Sequence, residues 1–364
     1  MNGGNSKKLL VIGAEPGSGS TLGPVLRRWN GDARVVCSQR AAGVFGEFGL
    51  PVSVVDDPAN REEADALIAG LLREFNPAVV VSTLLGPEET SLDRAASRVC
   101  SREKVPRVAV LDSWMNLESR FDVRDGKLAN LPDITAVPDT YTRDDLASFG
   151  IPLERIAVTG HPFFDEIAAD NGKRSRRPVP ARFAFLLQPL ASLIRDGLTP
   201  HPGYTEREAA EIWFQALNAS SIPDGAVEIV MREHPRKASE YDIPAGFRFP
   251  VSVSREGGGW EFARGCTLVA GMSSTLLVYS FLAAIPTIVS QPGLNEDPDP
   301  NILTRYGILP NLDTVAALAG ELERAFRDAD YQKDAETESR RARFPLDGQN
   351  SGNIIRIIED LMGH

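Results

Sequence analysis

The sequence predicts an α/β protein built from two doubly wound, Rossmann-like domains that face each other. Three observations carry this. Short β-branched runs alternate with stretches of helical period along most of the chain. A length of 364 residues is enough for two cores of ordinary size. A basic, proline-containing segment at 170–182, without apolar period, parts two such series. The domains are placed at 1–170 and 183–345, with a linker at 171–182. Residues 346–364 are expected as a C-terminal helix packing back on the first domain.

The first series opens with strand Leu9–Gly13, helix Thr21–Trp29, and strands Arg34–Ser38 and Pro51–Val55. Helix Arg61–Phe75 leads into the β-branched strand Ala78–Leu84. Helix Ser91–Glu103, strand Arg107–Asp112, strand Ile134–Val137, helix Tyr141–Phe149 and strand Ile156–Val158 complete it. The second series begins with strand Phe183–Gln188, helix Glu206–Asn218 and strand Val227–Arg232. Helix Gly259–Arg264, strand Leu268–Ala270, helix Ser274–Ala283 and strand Thr287–Ser290 follow. Helices Thr314–Asp328 and Asn353–Met362 end the chain. Alternation of this kind means parallel sheets with helices on both faces. Ligands of such sheets bind beyond the carboxyl ends of the strands.

Composition narrows the function classes. The net charge of -11 argues against a duplex nucleic-acid binder, which carries a basic footprint. Cys37, Cys100 and Cys266 are far apart and odd in number, so neither a zinc site nor a disulfide framework is expected. A reducing cytoplasm fits that usage. Residues 266–289 are uncharged and mostly apolar, but Gly271, the Ser273–Ser274 pair and Pro286 break a membrane span. No stable membrane insertion is expected. The basic 170–182 segment leaves peripheral attachment open beside a solvated linker.

Two loops of the second domain look built for phosphate. Val227–Arg232 runs into Arg232, His234, Pro235 and Arg236, three potential cations around a fixed turn. Leu268–Ala270 runs into Gly271, Ser273, Ser274 and Thr275, then a helix, an arrangement suited to an anion. The plainer readings are a solvated basic loop and a simple helix cap. Gln188 ends the neighbouring strand. Thr205 and Glu208 form a capping-box pattern.

In the first domain, Gly17 and Gly19 lie in the glycine-rich stretch 13–24, either a ligand loop or a structural βα turn. Glu15 stands where it could deprotonate an acceptor hydroxyl. Asp112 ends a strand, with Trp114, Asn116 and Arg120 after it. These suit a sugar ring and a general base, or else a core tryptophan and a helix cap. His161 lies in Thr159-Gly160-His161-Pro162, near a donor phosphate or as a structural turn. Asp347 lies in a turn before the last helix, where it could also reach a ribose or sugar. Asp297 and Asp299 have the spacing of a metal-binding Asp-x-Asp, but their setting reads as a polar loop.

In the order of these motifs the chain resembles the GT-B superfamily of nucleotide-sugar-dependent glycosyltransferases and hydrolysing UDP-N-acetylglucosamine 2-epimerases. His234-Pro235 followed by Ser273-Ser274 is similar to the HP and S motifs of bacterial sialyl- and polysialyltransferases and of CDP-glycerol glycerophosphotransferases. Val158–Asp165 looks like the interdomain segment of the 2-epimerases, and Asp347-Gly348 with Ser351 like their terminal donor-site segment. The resemblance implies a GT-B architecture and a metal-independent glycosyltransferase without a cofactor. It implies a nucleotide-activated sugar, CMP- or CDP-linked before UDP-linked, and a glycan-type acceptor. Two departures stand out. Leu277, Val278, Tyr279 and Ser280 occupy the place where many such enzymes carry an acid for ribose or sugar. The Gly-Gly and Glu-Glu pattern of the epimerases is missing. An epimerase or hydrolase, and a non-catalytic nucleotide-binding protein, are the alternatives.

Overall fold

A computed structural model describes residues 8–84, 89–115, 117–124, 126–170, 178–234, 237–328 and 330–363. The chain divides into two compact units, Met1–Ala169 with Arg343–His364, and Asp170–Ala342.

The first unit starts with β1 (Lys8–Gly13), α1 (Pro16–Arg28), β2 (Asp32–Ser38), α2 (Gln39–Glu47) and β3 (Val52–Val55). It continues with α3 (Arg61–Phe75), β4 (Val79–Thr83), α4 (Leu92–Glu103) and β5 (Arg107–Val110). A hairpin of β6 (Asp122–Arg124) and β7 (Lys127–Ala129) precedes β8 (Ile134–Val137), α5 (Thr140–Ser148), β9 (Ile156–Val158) and α6 (Phe164–Asp170). The sheet has seven strands in the order β3-β2-β1-β4-β5-β8-β9, and its pairings are all parallel. Both faces are buried, which explains the unbroken apolar runs. Leu9 and Val11 enter the core beneath α1, while Leu10 and Ile12 enter the core beneath α3 and α4.

The second unit contains β10 (Ala181–Leu186), α7 (Leu190–Arg195), α8 (Glu206–Ala219), β11 (Val227–Arg232) and β12 (Val251–Ser254). Then come α9 (Gly259–Arg264), β13 (Leu268–Gly271), α10 (Thr275–Leu282) and β14 (Thr287–Val289). The helices α11 (Ile302–Arg305), α12 (Val315–Arg327) and α13 (Ala335–Arg341) follow. Its five-stranded sheet has the order β12-β11-β10-β13-β14 and is again parallel. Trp213, Phe214, Phe183 and Phe185 centre its core. Thr205 and Glu208 do form a capping box at the start of α8. The stretch 266–289 holds β13, a turn, α10 and β14, and among the described residues no helix is long and apolar enough to cross a membrane.

Helix α14 (Asn350–Gly363) belongs to the first unit. Its Ile354 and Ile358 lie in the core with Leu22 and Val25 of α1. Asp165 holds its start. One Asp165 oxygen accepts from the Asn350 amide at 2.9 Å and the other from the Ser351 amide at 3.0 Å. Arg28 pairs with the same carboxylate at 2.7 Å. A helix start offers unfilled amides and positive dipole, and a buried carboxylate answers both.

Several elements were not legible in sequence. Helix α2, the β6–β7 hairpin, α7, β12 and α13 are short and lack a full period. Helix α1 begins at Pro16, five residues before the expected Thr21. Glu15 is its N-cap, in a capping box with Ser18, and Pro16 takes the first helical position, where its missing N–H costs nothing. The expected linker at 171–182 lies outside the described residues as far as 177.

Removing the Asp165 carboxylate strands two amides of α14 and the Arg28 charge. Asp165→Ala is expected to destabilise the first unit by on the order of 3 kcal/mol. Hydrogen exchange of the α14 amides should accelerate while the second unit's amides are unchanged. Unaltered protection of α14 would show that its apolar face alone holds it.

Candidate functional site

In the first sheet β1 and β4 are neighbours and lead outward to opposite edges, which makes their carboxyl ends the topological switch point. Asp112, just past β5, stands beside this point. A Cβ on Gly17 would lie 2.6 Å from Asp112 Oδ2, so only glycine lets this carboxylate sit against the first turn of α1. The positive end of a helix favours an anion there. Arg120 fixes the carboxylate from the other side at 2.7 Å. The same guanidinium donates to the main-chain carbonyls of Met115 and Leu84. Arg120 is thus committed to Asp112 and the chain around it. These bonds engage its Nε and Nη1.

Behind Asp112 lies a chain of buried polar groups that sequence reasoning missed. The Ser18 and Thr83 hydroxyls are 2.8 Å apart, and Thr83 reaches Asp93 Oδ1 at 3.4 Å. Asp93 is 2 % exposed. Its Oδ2 has no hydrogen-bond partner among the described residues. Burial, and then the negative Asp112, push the Asp93 carboxyl well above the usual carboxylate range. A carboxyl group in the first turn of a helix reads in sequence as a surface dipole partner. Only the packing of α4 on the sheet buries it.

Glu15 pairs with Arg40 at 2.6 Å besides capping α1. Gly17 and Gly19 do not form a loop: both lie within α1, where a Cβ on Gly19 would meet Val44 at 2.8 Å. The glycines serve close packing of α1. The Glu15-Pro16 pair, a cap before a first-turn proline, was the signal for this.

Trp114 is 2 % exposed. Its indole N–H donates to Asp139 at 2.5 Å, and its ring stacks 6.2 Å from that of His161. It is a core ring, one of the two readings open in the sequence. Its one polar atom found an internal acceptor, which makes its burial favourable. His161 is 1 % exposed. Its Nδ1 accepts from the Phe163 amide at 3.1 Å, which leaves the other nitrogen protonated. Burial lowers its pKa to about 4, against the pull of Asp112 and Asp165. The buried ring lies against the Asp112 segment, as the structural of its two readings expects. Asn116 lies outside the described residues.

In the second sheet the switch point falls between β10 and β13. Gly271 ends β13, and a Cβ there would be 3.0 Å from Leu186 on β10. Gln188 Oε1 spans the two strand ends, accepting from the Ser273 amide at 3.0 Å and the Ser273 hydroxyl at 2.9 Å. Ser274 caps α10 through the Leu276 amide at 3.3 Å. Thr275 is half-buried, and its hydroxyl has no partner among the described residues. Gln188 and Ser273 therefore build the turn, and Ser274 and Thr275 open the helix towards solvent.

Arg232 is held within the second unit. It is 7 % exposed and lies over the Phe262 ring. Its guanidinium donates to Ser254 Oγ at 2.7 Å and to the Glu256 and Gly257 carbonyls at 2.6 Å. It fastens the loop after β12 through Nη1 and Nη2. The unseen strand β12 is what captured it. His234 is half-buried beyond β11, while Pro235 and Arg236 lie outside the described residues. Asp347 is exposed and accepts from the Gln349 amide at 2.9 Å, opening the turn before α14 in the first unit. Asp299 is a hub, accepting from Gln291, Thr304 and the Asn301 amide. Among the described residues no cluster of three or more His, Cys, Asp or Glu suits a metal ion.

No protein-family model matches the chain, and no curated protein sequence is similar to it. Solved structures match its fold over nearly the whole length. The UDP-GlcNAc 2-epimerase of Methanocaldococcus jannaschii, in complex with UDP-GlcNAc and UDP, aligns at 15% identity with a TM-score of 0.64, covering 97% of this chain and 99% of its own. The UDP-GlcNAc 2-epimerase of Neisseria meningitidis bound to UDP-GlcNAc aligns at 13% identity and 0.65, covering 97% and 99%. The glycotransferase of kitacinnamycin aligns at 13% identity and 0.65, covering 98% of each chain. The chain has the fold of these proteins, two parallel-sheet Rossmann-like domains of GT-B type.

The neutral state of His161 has a measurable consequence. The unfolded ring titrates at 6.5 and the folded ring at about 4, so between these values only the unfolded chain holds the proton. Stability therefore falls as pH drops through that window, by on the order of 3 kcal/mol at its end. Asp93 acts in the opposite sense, since its folded pKa is raised: its contribution is present at low pH and lost as pH rises through the folded value. Urea unfolding of the wild type and of His161→Gln should diverge between pH 7 and pH 4, the wild type falling more steeply. Parallel curves would rule out a buried neutral ring.

Proposed function

We propose that the protein is an enzyme acting on a nucleotide-activated sugar. The observation that carries this reading is the start of α10: at the β10–β13 switch point, Gln188 pins Ser273 and leaves the Thr275 hydroxyl unfilled beside the helix's first amides. Such a helix start suits the phosphates of a nucleoside diphosphate. A UDP-linked sugar is favoured, because the epimerases of similar fold are named with UDP-GlcNAc or UDP bound. The expected CMP or CDP preference finds no counterpart among them.

The nucleotide falls to the second unit and the chemical step to the carboxyl groups of the first. Asp112 is the general base: Arg120 and the first turn of α1 hold its carboxylate in place. Glu15, paired with Arg40, is the second candidate. Breaking the sugar–phosphate bond releases a nucleoside diphosphate, whose developing charge the α10 start stabilises. Chemistry on the donor alone, epimerisation or hydrolysis, is the first reading, since the epimerases match over almost all of both chains. Transfer to a glycan-type acceptor is the second, and the equal match to the kitacinnamycin glycotransferase favours it.

UDP-GlcNAc incubated alone with the protein separates the two. Release of UDP or formation of an epimer supports donor-only chemistry; an intact donor consumed only once an acceptor is added supports transfer. Calorimetric titration with UDP tests the shared premise. Ser274→Ala with Thr275→Val is expected to weaken UDP about tenfold, the worth of one or two charge-assisted hydrogen bonds. An unchanged affinity would remove the α10 start from the site, and no UDP binding at all would sink both readings.

A further inference from the structure

A cavity of about 300 Å³ opens at the other end of the first sheet, where β5 begins. Arg107 starts this strand and Asp112 lies beyond its end, a separation of roughly 16 Å at strand rise. The cavity is therefore distinct from the switch point. Its wall comes from the end of α4, the start of β5, the approach to β8 and the turn before β9.

The wall is cationic. Lys104, Arg107 and Arg155 stand against a single carboxylate, Asp133. One Asp133 oxygen already accepts from the Arg107 amide at 2.8 Å. The Cys100 thiol beside them adds no negative charge at neutral pH, because burial pushes it up to about 11. Arg107 is the informative residue. It is 3 % exposed, and its guanidinium donates to Ser82 Oγ at 3.1 Å and to the Asn130 carbonyl at 3.4 Å. Among the described residues it forms no close ion pair with a carboxylate, nor do Lys104 and Arg155; Asp93 and Asp133 act on its charge only from farther away. A buried guanidinium stays charged and is costly without an anion.

The carbonyl end of α4 attracts cations by itself, and that accounts for Lys104 at its cap. It does not account for Arg155, which comes from a separate turn and donates to the Pro132 carbonyl at 3.0 Å. The Cys100 carbonyl at this helix end is also filled, by the Lys104 and Val105 amides. We propose that the cavity is a binding site for a phosphate-type oxyanion, free or carried on a small metabolite, with Lys104, Arg107 and Arg155 as its cationic wall. The volume accepts a phosphate group with a small organic remainder.

The test is calorimetric titration of the whole protein with inorganic phosphate and, separately, with a simple hexose phosphate. Tighter binding of one of the two tells the free anion from the metabolite. Lys104→Gln with Arg155→Gln changes partly exposed side chains and spares Arg107, whose removal endangers the fold. The double variant is expected to lose phosphate affinity by about tenfold or more. Its UDP affinity should be unchanged, and Ser274→Ala with Thr275→Val should keep the phosphate site. Absence of saturable phosphate binding, binding untouched by the Lys104 and Arg155 changes, or its loss in the α10 variant instead, would each overturn the proposal.

Discussion

Asp165 sits at the start of α6, almost without solvent, and takes hydrogen bonds from two amides of a helix that begins at residue 350. Few single groups organise so much of this protein. The chain leaves the first unit at Ala169 and returns at Arg343. Only a capped, correctly placed α14 can then bring Ile354 and Ile358 into the core with α1. Arg28 of α1 shares the carboxylate, so one group ties α1, α6 and α14. Beyond the return point, Arg343 lies 3.7 Å over the Tyr141 ring and Phe344 packs on Phe164. The His161–Trp114 stack continues the same aromatic layer towards Asp112. The placement of the candidate base thus depends on a helix cap supplied across most of the chain.

The polar groups divide by what they can still offer. Arg120, Arg232, Trp114 and His161 have strong functional chemistry in isolation, yet each is engaged inside the fold: the first three donate to internal acceptors, and His161 Nδ1 accepts from the Phe163 amide. Asp112 is different. It is held by opposite charge on one side and a helix start on the other, which positions it. Burial and then the negative Asp112 push the Asp93 carboxyl behind it well above the usual carboxylate range, against Arg107 and the Thr83 hydrogen bonds. Two carboxyl groups whose surroundings differ so much make a natural acid–base contrast. In the second unit the division repeats. Gln188 and Ser273 build the turn, Ser274 caps α10, and the Thr275 hydroxyl has no partner among the described residues.

The sequence alone determined the fold class. Period-2 and period-3.6 patterning follows from burial on sheet faces and helix stripes, so parallel sheets covered on both sides were legible, as were most long helices and the α8 capping box. The strand ends that carry the loops were legible too, because a doubly wound sheet puts its ligand chemistry there. Tertiary structure decided which side chains at those ends remain available. Local pattern does not reveal that β12 forms and captures Arg232, that the glycines of residues 17–19 lie within a helix, or that α4 buries Asp93. Each of these outcomes depends on a partner distant in sequence. Hydrogen-bond donors are satisfied by whatever the fold brings near, and burial sets the charge of an acid or an imidazole. Composition and spacing fix the residue types at a site, but only packing says whether they face a ligand or each other.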